Sequence, residues 1–317
     1  MRDERVVERT IGEEDSGQRI DKFLAAEIAD RSRAQIQELV KAGLVTVLGS
    51  IVKPSYRLAT GDVVIARVPP EEEAELIPQP MPLHVVYDDD DVVVVNKPAG
   101  MVVHPAPGHQ AGTLVNALLA RFPEIAGLAE GEHEPTRRPG IVHRLDKQTS
   151  GLILVAKHEA ARQFLQRQFK EREVQKTYIA LVEGRLQPPS GIIDAPIGRH
   201  PQRRQRMAVL QRSGRPAKTV YHLIEYLNDY SLISVQPITG RTHQIRVHLA
   251  AIEHPVVGDG VYGYRRQRLG IGRQFLHAWK LALTLPSGEA REFIAPLPAD
   301  LRHVLVELTG RVPEELL

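Results

Sequence analysis

What most constrains this chain is a set of short apolar runs after residue 84 that helices do not regularly separate. HVVYDDDDVVVVNKPAG reads as two strands around an acidic turn, and TYIALVEG, AKTVYHLIEYL, YSLISVQPI and KLALTL read as further strands. A helical period appears in HEAARQFLQRQFKERE, which turns Ala161, Phe164, Leu165 and Phe169 inward and Arg162, Arg167, Lys170 and Arg172 outward. Strands outnumber helices and do not alternate with them. Residues 84–317 therefore predict an α+β domain built on a large mixed or antiparallel sheet with flanking helices, not a doubly wound fold.

A smaller α/β module is expected over residues 15–68. RIDKFLAAEIAD places Ile20, Phe23, Leu24 and Ile28 on one helical face. A second helix follows, with Ser32 and Gln35 as a capping box, Ile36, Leu39 and Val40 on its apolar face and Gly43 as its stop. LVTVLGSIVKP then reads as strand, tight turn, strand, and DVVIARV as another strand. Arg19, Lys22, Arg31, Arg33 and Lys41 fall on polar positions, and this helix–helix–strand pattern resembles the S4 RNA-binding module. Residues 69–83, PPEEEAELIPQPMPL, are rich in Pro and Glu and read as a linker.

The 317 residues include no cysteine, which excludes disulfides, thiolate nucleophiles and Cys-ligated zinc. The N-terminus lacks the apolar core of a secretion signal and no run approaches 18 apolar residues, so a cytoplasmic protein outside the membrane is expected. The net charge of +2 conceals segregation. Residues 195–224 carry Arg199, Arg203, Arg204, Arg206, Arg212, Arg215 and Lys218 without an acid, and residues 260–288 repeat the pattern. Long acid-free basic stretches suit a polyanionic partner.

Two familiar expressions fail on context. GDGVYG at 258–263 fits G-x-G-x-x-G, but YRRQRLGIGRQ after it has no helical face, so it reads as a turn. His243 and His248 are five apart and point to opposite faces of a strand, so no metal is expected there, nor at the acidic run 88–91. The stretch GIVHRLDKQTSGLILVAK is different. A polar knot with one carboxylate, Asp146, sits between apolar runs, where desolvation is costly without a partner. It is either an ionic staple for the loop or a nucleophile or base paired with an arginine. TGRTHQIRVH supplies Gln244, Arg246 and His248 alternating along an extended or helical segment, and KTYIALV puts Lys176 and Tyr178 on one strand face.

Together HRLDKQTSGL, KTYIALV, TGRTHQIRVH and GDGVYG, with NKPAGMVVHP upstream, resemble the signature segments of RluA/RluD-type pseudouridine synthases over residues 84–296. The resemblance implies isomerisation of uridine to pseudouridine in structured RNA, with large-subunit ribosomal RNA stem-loops the first choice and transfer RNA the second. It implies Asp146 as the essential residue, acting at C1′, at C6 or on the 2′ proton. It further implies Arg246 as its salt-bridge partner, Tyr178 packed on the target base, and Arg144 entering the RNA where the flipped uridine was. No cofactor or metal is implied, and a monomer is expected. A non-catalytic RNA-binding factor and a nucleoside hydrolase are the competing readings; the second needs another acid near Asp146.

Overall fold

In a computed structural model the run Ser150–Ala156 is a strand buried at every position, and the larger part of the fold follows from how its two faces are covered. The structure describes residues 5–28, 31, 33–69, 76–105, 109–129, 138–203, 206–264 and 269–316. The chain divides into two compact units, Met1–Glu75 and Leu76–Leu317.

The first unit contains β1 (Arg5–Thr10), α1 (Ile20–Glu27), α2 (Arg33–Lys41), β2 (Val45–Val47), β3 (Ser50–Ile51) and β4 (Val63–Val68). Its strands form an antiparallel sheet in the order β1-β4-β2-β3. Ile20, Phe23, Leu24, Ile28, Ile36 and Val40 bury the expected helix faces against Val45, Val47, Val64 and Ala66. Leu48 and Gly49 both have positive φ (49° and 78°), the turn whose twist matches that of a two-residue hairpin. Strand β1 lies before the module expected from residue 15. It buries Val7 alone among its residues, too faint a pattern to read as a strand. Ser32, and with it the capping box, lies outside the described residues, as do residues 70–75 of the linker.

The second unit contains β5 (His84–Asp88), β6 (Val92–Lys97), α3 (Leu114–Arg121), β7 (Ser150–Ala156), α4 (Glu159–Glu171), β8 (Gln175–Glu183) and β9 (Ser190–Asp194). It continues with β10 (Ile197–Arg199), β11 (Met207–Val209), β12 (Lys218–Leu227), β13 (Tyr230–Pro237), α5 (Gln244–Ala251), β14 (Leu276–Thr284), β15 (Ala290–Ile294) and α6 (Ala299–Thr309). Nine strands form one sheet in the order β5-β6-β7-β14-β8-β13-β12-β9, with β15 also on β14, while β10 and β11 pair separately. The β7–β14 pairing is parallel and the other pairings in the large sheet are antiparallel, so the sheet is mixed.

Alternation explains why the central strands look continuously apolar. Val93 and Val95 of β6 and Ile153 and Val155 of β7 face a core shared with α3 and α5; Val92, Val94, Leu152, Leu154 and Ala156 face another, covered by α4. Strand β8 does the same, with Ala180 and Val182 on one side and Ile179 and Leu181 against Leu301, Val304 and Leu305 of α6. A sheet covered on both faces requires apolar residues at both phases of the period. Gly151 marks the tightest crossing: a Cβ there would overlap the Ala278 carbonyl of β14, and its φ of +114° is a glycine conformation.

The linker expected over 69–83 is shorter than its composition suggests. Leu76 and Leu83 pack against the core of the second unit. Asn116 of α3 donates to the Ile77 carbonyl at 2.8 Å and accepts from Gln79 N–H at its own carbonyl at 2.9 Å. Prolines exclude this segment from helix and sheet but not from apolar burial. Among the described residues no helix is long and apolar enough to cross a membrane.

Each unit holds its own clusters of core residues, so deleting residues 1–75 should leave a second unit that unfolds cooperatively. Thermal unfolding followed by near-ultraviolet circular dichroism checks this; a truncated chain without a cooperative transition would contradict it.

Candidate active site

The polar knot at 143–150 is the entry to β7, and buried groups satisfy its backbone. His143 leaves its Nε2 to accept the Leu154 N–H at 2.8 Å and stacks on Phe169 with ring centres 5.0 Å apart. Burial, then the nearby Lys176 charge, push this imidazole down to about 3, so it is neutral at physiological pH. Immediately after Asp146, the Lys147 carbonyl accepts from Gly100 N–H at 2.8 Å and from Lys97 Nζ at 3.3 Å. Lys97 is fully buried and also donates to the carbonyls of Pro98 and Met101. Burial pushes its pKa down to about 7, against the pull of the Asp146 charge. Arg273 donates to the Gln148 carbonyl at 3.1 Å while its fork grips Asp300 of α6, and Gln274 donates to Thr149 Oγ1 at 3.1 Å. The knot is polar because a loop at the edge of a buried sheet must pair its carbonyls internally.

The second cluster is helical. Residues 244–251 form α5, so Gln244 and His248, four apart, share a face, and both reach Thr219 of β12. The Gln244 side chain also accepts from Thr239 Oγ1 and Arg241 N–H, pinning the Thr-Gly-Arg-Thr turn. Arg246, between them in sequence, points elsewhere. Its Nη1 donates to Asp146 Oδ2 at 2.9 Å, while Nε and Nη2 donate to the two oxygens of Asp259 at 2.6 and 2.9 Å.

The expected Arg246–Asp146 pair is present, but the planar fork is spent on Asp259, and Asp146 receives one bond. Asp259 is fully buried and accepts further from Val261 N–H and Tyr262 N–H at 2.8 and 3.0 Å. Burial alone would raise its pKa; the Arg246 hydrogen bonds and charge and the two N–H groups hold it below the ordinary carboxylate value. Asp259 is not among the residues expected at the site: GDGVYG reads as a turn and as one of the signature segments, and neither gives its carboxylate a partner. The signal was a carboxylate inside a tight glycine turn: Gly258 has φ +75°, and a Cβ there would overlap the Arg273 carbonyl.

Above this chain of charges opens a cavity of about 490 Å³ lined by the 142–149 loop, the end of α4, Lys176 and Tyr178 of β8, and the 237–246 turn. Arg144, Lys170, Arg172, Lys176, Arg241 and Arg246 contribute cations to the lining, against one acid, Asp146. Tyr178 is buried, and burial followed by the Asp146 charge raise its pKa well above the usual tyrosine value, so the hydroxyl keeps its proton. Arg144 is exposed on the lining. His243 Nε2 lies 4.0 Å from Asp146 Oδ1, with its pKa lowered by burial despite that carboxylate. Asp146, Tyr178, Arg246 and Arg144 are thus brought to one cavity.

The basic residues expected to bind RNA are arranged less simply. Arg19 and Arg33 both converge on Asp21, which is fully buried and also accepts from Gln37. Lys41 pairs with Glu38, Arg31 donates to the Pro69 carbonyl, and Lys22 is exposed. Arg199, Arg203 and Arg206 lie on or beside the β10–β11 hairpin and do not line the cavity; Arg204 falls outside the described residues. Among the described residues no group of three or more His, Cys, Asp or Glu could hold a metal ion.

Comparison with known proteins agrees with these two units. Residues 91–251 match the family model described as RNA pseudouridylate synthase, and residues 18–64 match the S4 domain. The chain is 53% identical over 297 residues to a Chloroflexus aurantiacus protein named as an uncharacterized RNA pseudouridine synthase, spanning 93% of this chain and 92% of that one. It is 42% identical over 310 residues to the Escherichia coli ribosomal large subunit pseudouridine synthase D, spanning 93% and 92%. Among solved structures, human RNA pseudouridylate synthase domain containing 1 superposes with a TM-score of 0.55 at 34% identity, covering 68% of this chain and 84% of that one.

Asp259→Ala would leave a buried guanidinium short of two bonds, which costs about 3–5 kcal/mol in comparable buried pairs. Urea unfolding of the variant should show a loss of that order; a loss under about 1 kcal/mol would mean Asp259 does not brace Arg246.

Proposed function

The chain belongs to the RNA pseudouridylate synthase family and is a pseudouridine synthase, and we propose that it modifies large-subunit ribosomal RNA with Asp146 as the reacting carboxylate. One observation carries the choice of Asp146. Among the described residues it is the single acid on the wall of a cation-lined cavity, held by one charge-assisted hydrogen bond that leaves its other oxygen outside the Arg246 contact.

The reaction breaks the uridine N1–C1′ bond, turns the ring and joins C5 to C1′. C5 loses a proton and N1 gains one, so atoms and electrons balance without an oxidant or a transferred group. One carboxylate suffices because the freed base is recaptured. A hydrolase of glycosidic bonds needs a second carboxyl to activate water or protonate the departing group. Asp259 is near enough to suggest that role, but both its oxygens are bonded to Arg246 and its acidity is increased, so it has no proton to give. That argues against nucleoside hydrolysis. Water must be kept from the sugar while the base is detached.

In this reading Arg246 aims Asp146, and Tyr178 packs its ring against the uracil. Arg144 fills the place of the extruded nucleotide, since C1′ and C5 cannot be reached in a stacked strand. Lys170, Arg172 and Arg241 join the RNA-contacting cations proposed from the sequence, and the S4 unit would contribute the exposed Lys22 and the part-exposed Arg19 and Arg33 that share Asp21. The ribosomal target rests on the near full-length likeness to the Escherichia coli enzyme, whose name gives that substrate. The enzyme works as a cytoplasmic monomer on this account.

Two experiments test it. Asp146→Asn, nearly isosteric, should abolish pseudouridine formation with RNA affinity within a few-fold of wild type; a tenth of wild-type turnover would remove Asp146 from the reaction. Mapping pseudouridines in cells lacking the gene should show sites missing from large-subunit ribosomal RNA; loss confined to transfer RNA would overturn the target.

A further inference from the structure

Lys176 is a cation that the reading above does not use. It projects from β8 two residues before Tyr178, on the same strand face, and both side chains line the cavity. It is half-buried, and among the described residues no carboxylate is paired with it. Its ammonium lies 5.6 Å from the centre of the Phe169 ring. Burial lowers its pKa to about 8. The groups that share its cavity are Arg144, Lys170, Arg172, Arg241 and Arg246, with His143 held neutral beside it and Asp146 already bonded to Arg246. Keeping an unpaired ammonium partly out of water is costly, and the cost is offset when a ligand brings negative charge to it.

We propose that Lys176 is a further catalytic residue, whose ammonium binds the negative charge that the uracil ring acquires while it is detached or activated. The proposal rests on the Asp146 reading but not on which route Asp146 takes. If the N1–C1′ bond breaks first, its electron pair passes to N1 and spreads onto O2 and O4, and the sugar either bonds the Asp146 carboxylate at C1′ or gives it the proton from C2′, leaving a C1′–C2′ double bond. If Asp146 adds to C6, the electron pair of the C5–C6 double bond moves toward O4. In both routes a carbonyl oxygen of the ring becomes anionic; C5 then bonds to C1′, the charge returns to Asp146 as its bond to C1′ or C6 breaks or as it gives the 2′ proton back to C2′, H5 leaves C5 and a proton reaches N1. Tyr178 on the base and Lys176 two residues away on the same face place the cation beside that ring. Phe169 and neutral His143 give it surroundings in which a fixed cation acts more strongly than in water.

Single-turnover kinetics on unmodified ribosomal and transfer RNA transcripts test this. Lys176→Met should lower the rate at saturating RNA by about 100-fold or more, the size seen when one preorganised donor to a developing anion is removed. Its RNA affinity should stay within about threefold, since no backbone phosphate is lost. The wild-type rate should fall as pH rises through about 8. Lys176→Arg, which keeps its charge, should lose that alkaline limb. A Met variant within about threefold of the wild-type rate would overturn the proposal. So would weakened binding with an unchanged saturating rate, which marks a phosphate contact, or an Arg variant with the same alkaline fall. If the Met variant does not fold, the pH profile of the Arg variant decides. Full activity in Asp146→Asn would sink the site reading separately, and activity on transfer RNA alone would change the substrate without touching Lys176.

Discussion

A buried guanidinium with three of its nitrogens committed is the interaction from which the site is built. Arg246 gives two bonds to Asp259 and one to Asp146, and both it and Asp259 are out of solvent. An arginine placed there without a full carboxylate partner would be strongly unfavourable. Asp259 therefore neutralises and orients the fork, and the remaining Nη1 presents a fixed donor to Asp146. An arginine shared the other way, forked on Asp146, would occupy both oxygens of the carboxylate proposed to react.

The scaffold delivers the two ends of this chain from distant parts of the sequence. Asp146 precedes β7, in the middle of the sheet, and its loop is tied by Lys97 from β6 and by Arg273 and Gln274 from the approach to β14. Arg246 comes from α5, whose opposite face is bonded to β12 through Gln244 and His248. The Arg273–Asp300 pair extends the support to α6, so the C-terminal helix braces the Asp146 loop as well as covering one face of the sheet.

Much of this was legible in the residues. The mixed sheet follows from apolar runs without interleaved helices, and the polar knot around Asp146 contradicts its apolar surroundings, whereas the roles of Arg246, Tyr178 and Arg144 came from the family resemblance. What was hidden depends on long-range pairing. Asp259 looks like any turn aspartate until Arg246, thirteen residues earlier, is folded onto it. Helix α3 begins inside a Gly- and Pro-rich stretch and buries nearly its whole circumference, so it lacks a polar face to betray its period. Arg19 and Arg33 read as free surface cations, yet Asp21, apparently an ordinary first-turn acid, is buried beneath both. Charge counted along a sequence shows neither which cations are paired nor which, like Lys176, are not.

On the proposed reading Asp259 acts on the reaction through Arg246 and Asp146. Single-turnover rates of Asp259→Asn, Arg246→Lys and the double variant form a cycle that measures this coupling directly. The account predicts strong non-additivity, with the double variant close to the slower single variant, because each change breaks the same brace. Losses that multiply in the double variant would show that Asp259 and Arg246 act independently, and would contradict it.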